Sequence, residues 1–299
     1  MLDNHFPLIN GKLDVREFGY KLLTTGDLDP VYHVVLHNKA LEDKERRAWF
    51  YLAYWCFYDI GVAGYIADAA NLDGYWTRFM TATENELKTP MGGRWPRASE
   101  RRHFRGAKAI DAVKRYQATF INPKCLVEDL SVFNYSKGVL PYPTLKRRVT
   151  GHPQFGPWMA FKIGDMLERI DGVPVDFSGD DIFMFKDPTE GALKVWEESY
   201  KGYEDYKFAD KQLRIDTVTY DLVKFFRDLE MKAPPSFDRP VGLQEVETIL
   251  CKWKSYMKGH YHIGDDIRHN LKTIREWKDY SPIVCGFDQA VPAKWRPQR

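Results

Sequence analysis

Glu247, Cys251, Lys254 and Lys258 recur at i, i+4, i+7 and i+11, which sets a carboxylate, a thiol and two ammonium groups on one face of a helix. Such a face can take up a proton and meet an anion in the same place. Lys252 flanks the face, and His260 follows it as a second candidate base. Cys251 is read as a residue lining the site, because a free cysteine beside a core more often packs than reacts. His260 and His262 stand at i, i+2 with Asp265 and Asp266 close behind. Spacing supplies no third ligand, so no metal is expected. Asp176 ends the run Gly172-Val173-Pro174-Val175-Asp176, where it either caps the element that begins near Phe177 or works on a substrate.

A second set of residues is suited to phosphate. From Arg94 to Arg115 the chain carries eight Lys or Arg residues, among them Arg101, Arg102, Arg105 and Lys108, against Glu100 and Asp111. A second knot, Lys146-Arg147-Arg148, precedes the turn Gly151-His152-Pro153-Gln154-Phe155-Gly156. Two helices joined by a tight glycine turn make a candidate helix-hairpin-helix. Its free backbone N–H groups and the positive end of its second helix meet a phosphate. Gly156 has no side chain to hold a nucleic-acid backbone away. Gly151, Gln154, Phe155 and Gly156 therefore join the cations as candidate DNA contacts. In contrast, Asp165 to Glu190 holds eight acids against Arg169 and Lys186. Basic edges around an acidic interior suit an enzyme that acts on nucleic acid.

Helical periodicity dominates the elements that must position these groups. The apolar run from Trp49 to Ala70 reads as a buried helix or helix pair. Its rings, Tyr51 and Trp55 among them, are mostly core, with room for one or two to stack on an extruded base. A helix is expected from Ser99 as N-cap, with Phe104, Ala107, Ile110, Val113 and Tyr116 as its apolar stripe. Pro141 to Val149 reads as one helix, and a second begins at Pro157, a residue suited to the first helical position. Further helices are expected from about Glu190, over Thr217 to Met231, and from Leu243, where Val246, Leu250, Trp253 and Met257 form a core stripe. His33 and His37 sit in an apolar run and read as filler.

At 299 residues, with 44% hydrophobic and 15% aromatic content, the chain can bury a large core without disulfide or metal. Its four cysteines, Cys56, Cys125, Cys251 and Cys285, are scattered and show no CxxC pairing, as expected of cytosolic thiols. No secretory signal or membrane span is expected, since the N-terminus lacks a long apolar segment and Asp59 and Asp68 interrupt the one long apolar run. The net charge of +2 by itself selects no partner.

The turn through Gly156, followed twenty residues later by Asp176, resembles the helix-hairpin-helix DNA glycosylase superfamily, whose typical turn is L-P-G-x-G-x-x-x-A. Gln154 stands where the first glycine would be. The blocks FGPWMAFKIGDMLERI, VPVDFS and ETILCKWKSYMKGHY resemble a bacteriophage branch of that superfamily, the α-glutamyl/putrescinyl thymine pyrophosphorylases or amino acid:DNA transferases. The likeness spans roughly Trp49 to Asp266, and the chain lacks the four-cysteine iron–sulfur loop that many glycosylases carry.

This resemblance implies an all-α, two-lobed glycosylase-like fold in which residues 1–299 form one enzyme unit and 141–170 the hairpin element. It implies a phage enzyme that displaces pyrophosphate from 5-(pyrophosphoryloxymethyl)uracil in DNA with an amine, either an amino acid or putrescine. Asp176, Glu247 or His260 would serve as base, Lys252, Lys254, Lys258 or Lys162 would meet the pyrophosphate, and Trp158 and Cys251 would line the site. The implied partners are phage DNA and the amine, in the host cytoplasm and away from any membrane. No cofactor is called for beyond an optional monovalent or divalent cation at the hairpin or pyrophosphate. Two alternatives share these residues: a DNA glycosylase or lyase using Asp176, and a non-catalytic helical DNA-binding module of a hydroxymethyluracil kinase system.

Overall fold

A computed structural model describes residues 11–133, 138–178, 186–200, 202 and 208–296. In chain order its helices are α1 (Val15–Thr25), α2 (Pro30–Leu36), α3 (Lys44–Phe57), α4 (Ile60–Ala67), α5 (Leu72–Glu84), α6 (Gly106–Phe120) and α7 (Pro123–Ser131). There follow α8 (Tyr142–Thr150), α9 (Pro157–Asp171), α10 (Lys186–Ser199), α11 (Lys211–Asp228), α12 (Leu243–Met257), α13 (Asp265–Trp277) and α14 (Pro282–Ala290). Two short paired strands, β1 (Leu140–Pro141) and β2 (Val175–Asp176), flank the α8–α9 pair in sequence. The fold is all-α, as expected.

The chain divides into two compact units. One comprises Met1–Pro30 and Asp176–Ile267, the other Val31–Val175 and Arg268–Arg299. In the first unit α1, α10 and α11 pack on α12 around Phe18, Leu22, Trp196, Leu222, Phe226, Ile249, Leu250 and Trp253. The expected α12 stripe is present, with Val246, Leu250 and Trp253 fully buried and Met257 packed at its edge. At Gly191 of α10 an added Cβ would press on the Leu250 carbonyl, so this glycine lets the backbones of α10 and α12 touch.

In the second unit α3 is buried on all sides from Ala48 to Phe57, against α4 and α7. Its apolar run becomes a helix pair for local reasons. Asp43 caps the start of α3, accepting from the Glu45 and Arg46 N–H groups. Tyr58 then turns left-handed at φ 53°, and Asp59 caps α4 by accepting from Val62 N at 2.9 Å. Burial pushes the Asp59 carboxyl above the usual carboxylate range.

The helix expected from Ser99 departs from the reading. Ser99–Arg101 is one 3-10 turn, and α6 begins only at Gly106. Phe104 buries itself at the bend, Arg105 is extended at φ −159° and Gly106 is left-handed at φ 66°. Ala107 consequently faces solvent, and the buried face of α6 is Ala109, Ala112, Val113 and Tyr116. Tertiary burial of one phenylalanine outweighs a favourable N-cap here.

Candidate functional site

The turn between α8 and α9 is braced from within its unit. Gly151 ends α8, its N–H donating to the Arg148 carbonyl at 3.1 Å, and the Tyr116 hydroxyl donates to the Pro153 carbonyl at 2.6 Å. Phe155 is buried, with its ring 5.5 Å from Tyr116 and 6.4 Å from Trp55. Gln154 is left-handed at φ 62°. Gly156 caps α9 in extended conformation, and a Cβ built there meets nothing within 4 Å. Internal packing therefore does not demand glycine at this position. No side chain caps the first turn of α9.

Arg101 was expected on the exposed basic face and is instead 1% exposed. Its Nε donates to the Cys56 carbonyl at 3.2 Å and its Nη1 to the Gln154 carbonyl at 3.1 Å. The rings of Phe104 and Phe155 cover the guanidinium. Arg101 thus holds the strained turn residue in place rather than meeting a phosphate. Cys56 beside it is fully buried, and that burial pushes its thiol up to about 12. Arg102, Arg105, Lys108 and Arg147 are exposed, and Lys146 is partly so. Arg148 turns back, its Nη1 donating to the carbonyls of Asp129, Leu130 and Val132 at the end of α7.

Asp176 is half-buried at the end of β2, and its Oδ1 accepts from Ser178 N at 2.9 Å, a turn cap that leaves the second oxygen. On α12 Glu247 is buried, accepting from the Thr248 hydroxyl at 3.2 Å. The lysines beside it are engaged. Lys252 pairs with Asp266 at 2.6 Å, donates to the carbonyls of Asp27 and Leu28, and lies over the Tyr261 ring. Lys254 pairs with Asp187 and with Glu190 at 2.8 Å, and Lys258 reaches Glu190 at 3.8 Å. The face of acid, thiol and ammonium is real, but its ammonium groups bind carboxylates of the same unit.

The remaining candidates are dispersed. Cys251 is half-buried and His260 exposed. His262 approaches Asp265 at 3.5 Å, and among the described residues no group of three His, Cys, Asp or Glu is placed to hold a metal. Lys162 is buried on α9, 5.2 Å from the Phe161 ring, and half-buried Trp158 sets an edge against Tyr58 at 5.2 Å.

A family model described as amino acid:DNA transferase matches residues 23–262. The chain belongs to this family. The transferase is 36% identical over 292 residues to a glycinyltransferase of Pseudomonas phage PaMx11, covering 94% of this chain and 97% of that protein. It is 24% identical over 278 residues to a putrescinyltransferase of Delftia phage PhiW-14, covering 90% and 81%. The matched span includes the α8–α9 turn, Asp176 and all of α12.

Sequence reasoning passed over one feature of the transferase. A cavity of about 260 Å³ lies among α3, α7 and the C-terminal end of α9. Tyr51, read as a core ring or a base stacker, lines it, as does Asp171, the last residue of α9. The signal for it in the chain is the i, i+3, i+7 spacing of Lys44, Arg47 and Tyr51, which puts two cations and a phenol on one face of a helix. No helix among the described residues is long and apolar enough to cross a membrane.

Proposed function

We propose that the transferase replaces the pyrophosphate of 5-(pyrophosphoryloxymethyl)uracil in phage DNA with an amine, in the host cytoplasm, and that glycine is that amine. The observation that carries the DNA half of this reading is the braced α8–α9 turn. Gly156 stands open at the uncapped start of α9, and Arg147 is exposed on the preceding helix. That arrangement suits a phosphate held by backbone N–H groups, as the helix-hairpin-helix resemblance implies. Arg102, Arg105 and Lys108 add exposed charge to the same unit. The glycinyltransferase likeness along nearly the whole chain supports the choice of amine.

In the reaction the amino group first loses its ammonium proton to water, and its lone pair then attacks the exocyclic methylene carbon. The carbon–oxygen bond breaks, pyrophosphate leaves with the bonding pair, and the nitrogen gives up one proton. Asp176 takes that proton on this reading: its Oδ1 is held by Ser178 N, which orients the carboxylate, and its other oxygen is the acceptor. Glu247, buried beside Thr248, is the second carboxylate on this reading. Lys252 and Lys254, tied to carboxylates, position α12 instead of meeting pyrophosphate. A flipped nucleotide gives the amine access to the methylene group, and both units work as one enzyme.

The test is to incubate the protein with glycine and DNA carrying pyrophosphorylated hydroxymethyluracil, then measure pyrophosphate and the nucleosides by mass spectrometry. The expected products are pyrophosphate and a glycine-substituted thymidine, with every glycosidic bond intact. Abasic sites would select the glycosylase reading instead, and no change in the DNA would leave a binding module.

A further inference from the structure

The cavity beside α3 is walled by charges of both signs. Lys44 and Arg47 reach it from α3, Lys124 and Glu128 from α7, and Asp171 from the end of α9. Arg47 Nε lies 3.2 Å from Asp171 Oδ1, with the two side chains only 16% and 18% exposed. Lys124 sits 3.7 Å from Glu128, and Lys44 closes no ion pair among the described residues. Tyr51 is 1% exposed, its ring stacked on Trp55 at 5.5 Å, and its hydroxyl stands beside the Asp171 carboxyl at the cavity wall. A buried hydroxyl and a carboxylate together on the wall of a polar cavity point to a ligand that brings hydrogen-bond donors to them.

We propose that this cavity seats the α-amino acid co-substrate, its ammonium toward Asp171 and the Tyr51 hydroxyl and its carboxylate toward Lys44 and Lys124. The inference rests on the amine-transfer reading above. Charge selects among ligands of similar size. A pyrophosphate or phosphate would meet the carboxylates of Asp171 and Glu128, and a diamine would meet three cations, whereas a zwitterion is matched at both ends. Burial pushes the Asp171 carboxyl above its usual range against the pull of Arg47, and an incoming ammonium would relieve that cost.

The experiment is titration of the full-length protein with glycine, without DNA, by calorimetry, and of the Tyr51→Phe, Asp171→Asn and Lys44→Gln variants, with circular dichroism and thermal melting as a check of folding. The expected result is saturable binding to wild type, weakened about tenfold or more in each folded variant, with the KM for glycine raised in step and DNA affinity unchanged. Lys44 is exposed, so its variant remains informative if the other two fail to fold. Wild type that transfers glycine while folded variants keep the wild-type glycine affinity and KM would overturn the seat and leave the transfer reading intact. Tighter binding of pyrophosphate or putrescine than of glycine, lost in the same variants, would overturn it as well. Glycine bound in the cavity by a protein that transfers no amine would count against the transfer reading and support the seat.

Discussion

Arg101 and Arg102 are adjacent and chemically identical, yet the structure gives them opposite work. Arg101 fixes two carbonyls inside its unit, while the Arg102 side chain is exposed. Arg101→Met should therefore lower stability by roughly 1–3 kcal/mol, because the Cys56 and Gln154 carbonyls lose their donor. Arg102→Ala should stay within about 0.5 kcal/mol of wild type and reduce the log–log salt slope of DNA binding by about 0.9. Urea denaturation and a salt series of DNA titrations read both. Equal stability losses in the two variants would show that the burial of Arg101 is unimportant. At Asp176 the carboxylate already serves its own turn through Ser178 N, a bond that asparagine can keep. Asp176→Asn should accordingly preserve fold and DNA affinity while turnover drops by about 10² or more. Full turnover would move the proton acceptor to Glu247.

At the scale of elements, the α8–α9 pair owes its geometry to neighbours and its function to an opening. Tyr116, Phe155 and Arg101 clamp residues 153–155 of the turn, but the space where a Gly156 side chain would stand is empty. The extended backbone at Gly156, φ −108° and ψ −176°, admits a branched residue without strain. Gly156→Val should therefore change stability by no more than about 1 kcal/mol, the size of an N-cap effect, and yet weaken DNA binding by obstructing the approach of a phosphate. Gly191 is the opposite kind of glycine, with the Leu250 carbonyl where its Cβ would be. Electrophoretic mobility shifts beside thermal melts separate the two effects, and unchanged affinity in Gly156→Val would make the turn an ordinary helix connection.

At the scale of the whole molecule, stability against pH integrates buried groups that pull in opposite directions. His33, packed on His37 at 4.1 Å and against Trp295 at 5.3 Å, is held down to about 4 by burial, with the positive charges of His37 and Lys294 adding to the effect. Its folded value lies below the ordinary 6.5. The unfolded chain therefore takes up a proton first, and the stability present above 6.5 is lost as pH falls toward 4. Buried carboxyls such as Asp27 and Asp59 are raised instead, so their contribution is present below 3.8 and lost as pH rises through their folded values. His33→Phe keeps a ring in the stack and removes the titration, so the melting temperature should depend less on pH between 6.5 and 4 than in wild type. Parallel slopes in the two proteins would contradict the burial argument for His33.

Much of this molecule is legible in its local chemistry. Pro157 at the head of α9, the stripe of Val246, Leu250 and Trp253 on α12, and the break of the apolar run at Tyr58 and Asp59 follow from caps, fixed dihedrals and helical period, which act over a few neighbouring residues. The resemblance to amino acid:DNA transferases is likewise carried by continuous blocks of sequence, and the family match runs through them. Tertiary structure alone decides which charges are spent and which remain. Arg101 finds Gln154 across 53 residues, Lys252 finds Asp27 across 225, and the cavity joins Tyr51 of α3 to Asp171 of α9. A charged side chain carries no local mark of its partner, since its energy depends on burial and on opposite charge brought near by packing. Periodicity can therefore say which face of α12 holds Lys254, but only the fold says that Asp187 and Glu190 lie waiting for it.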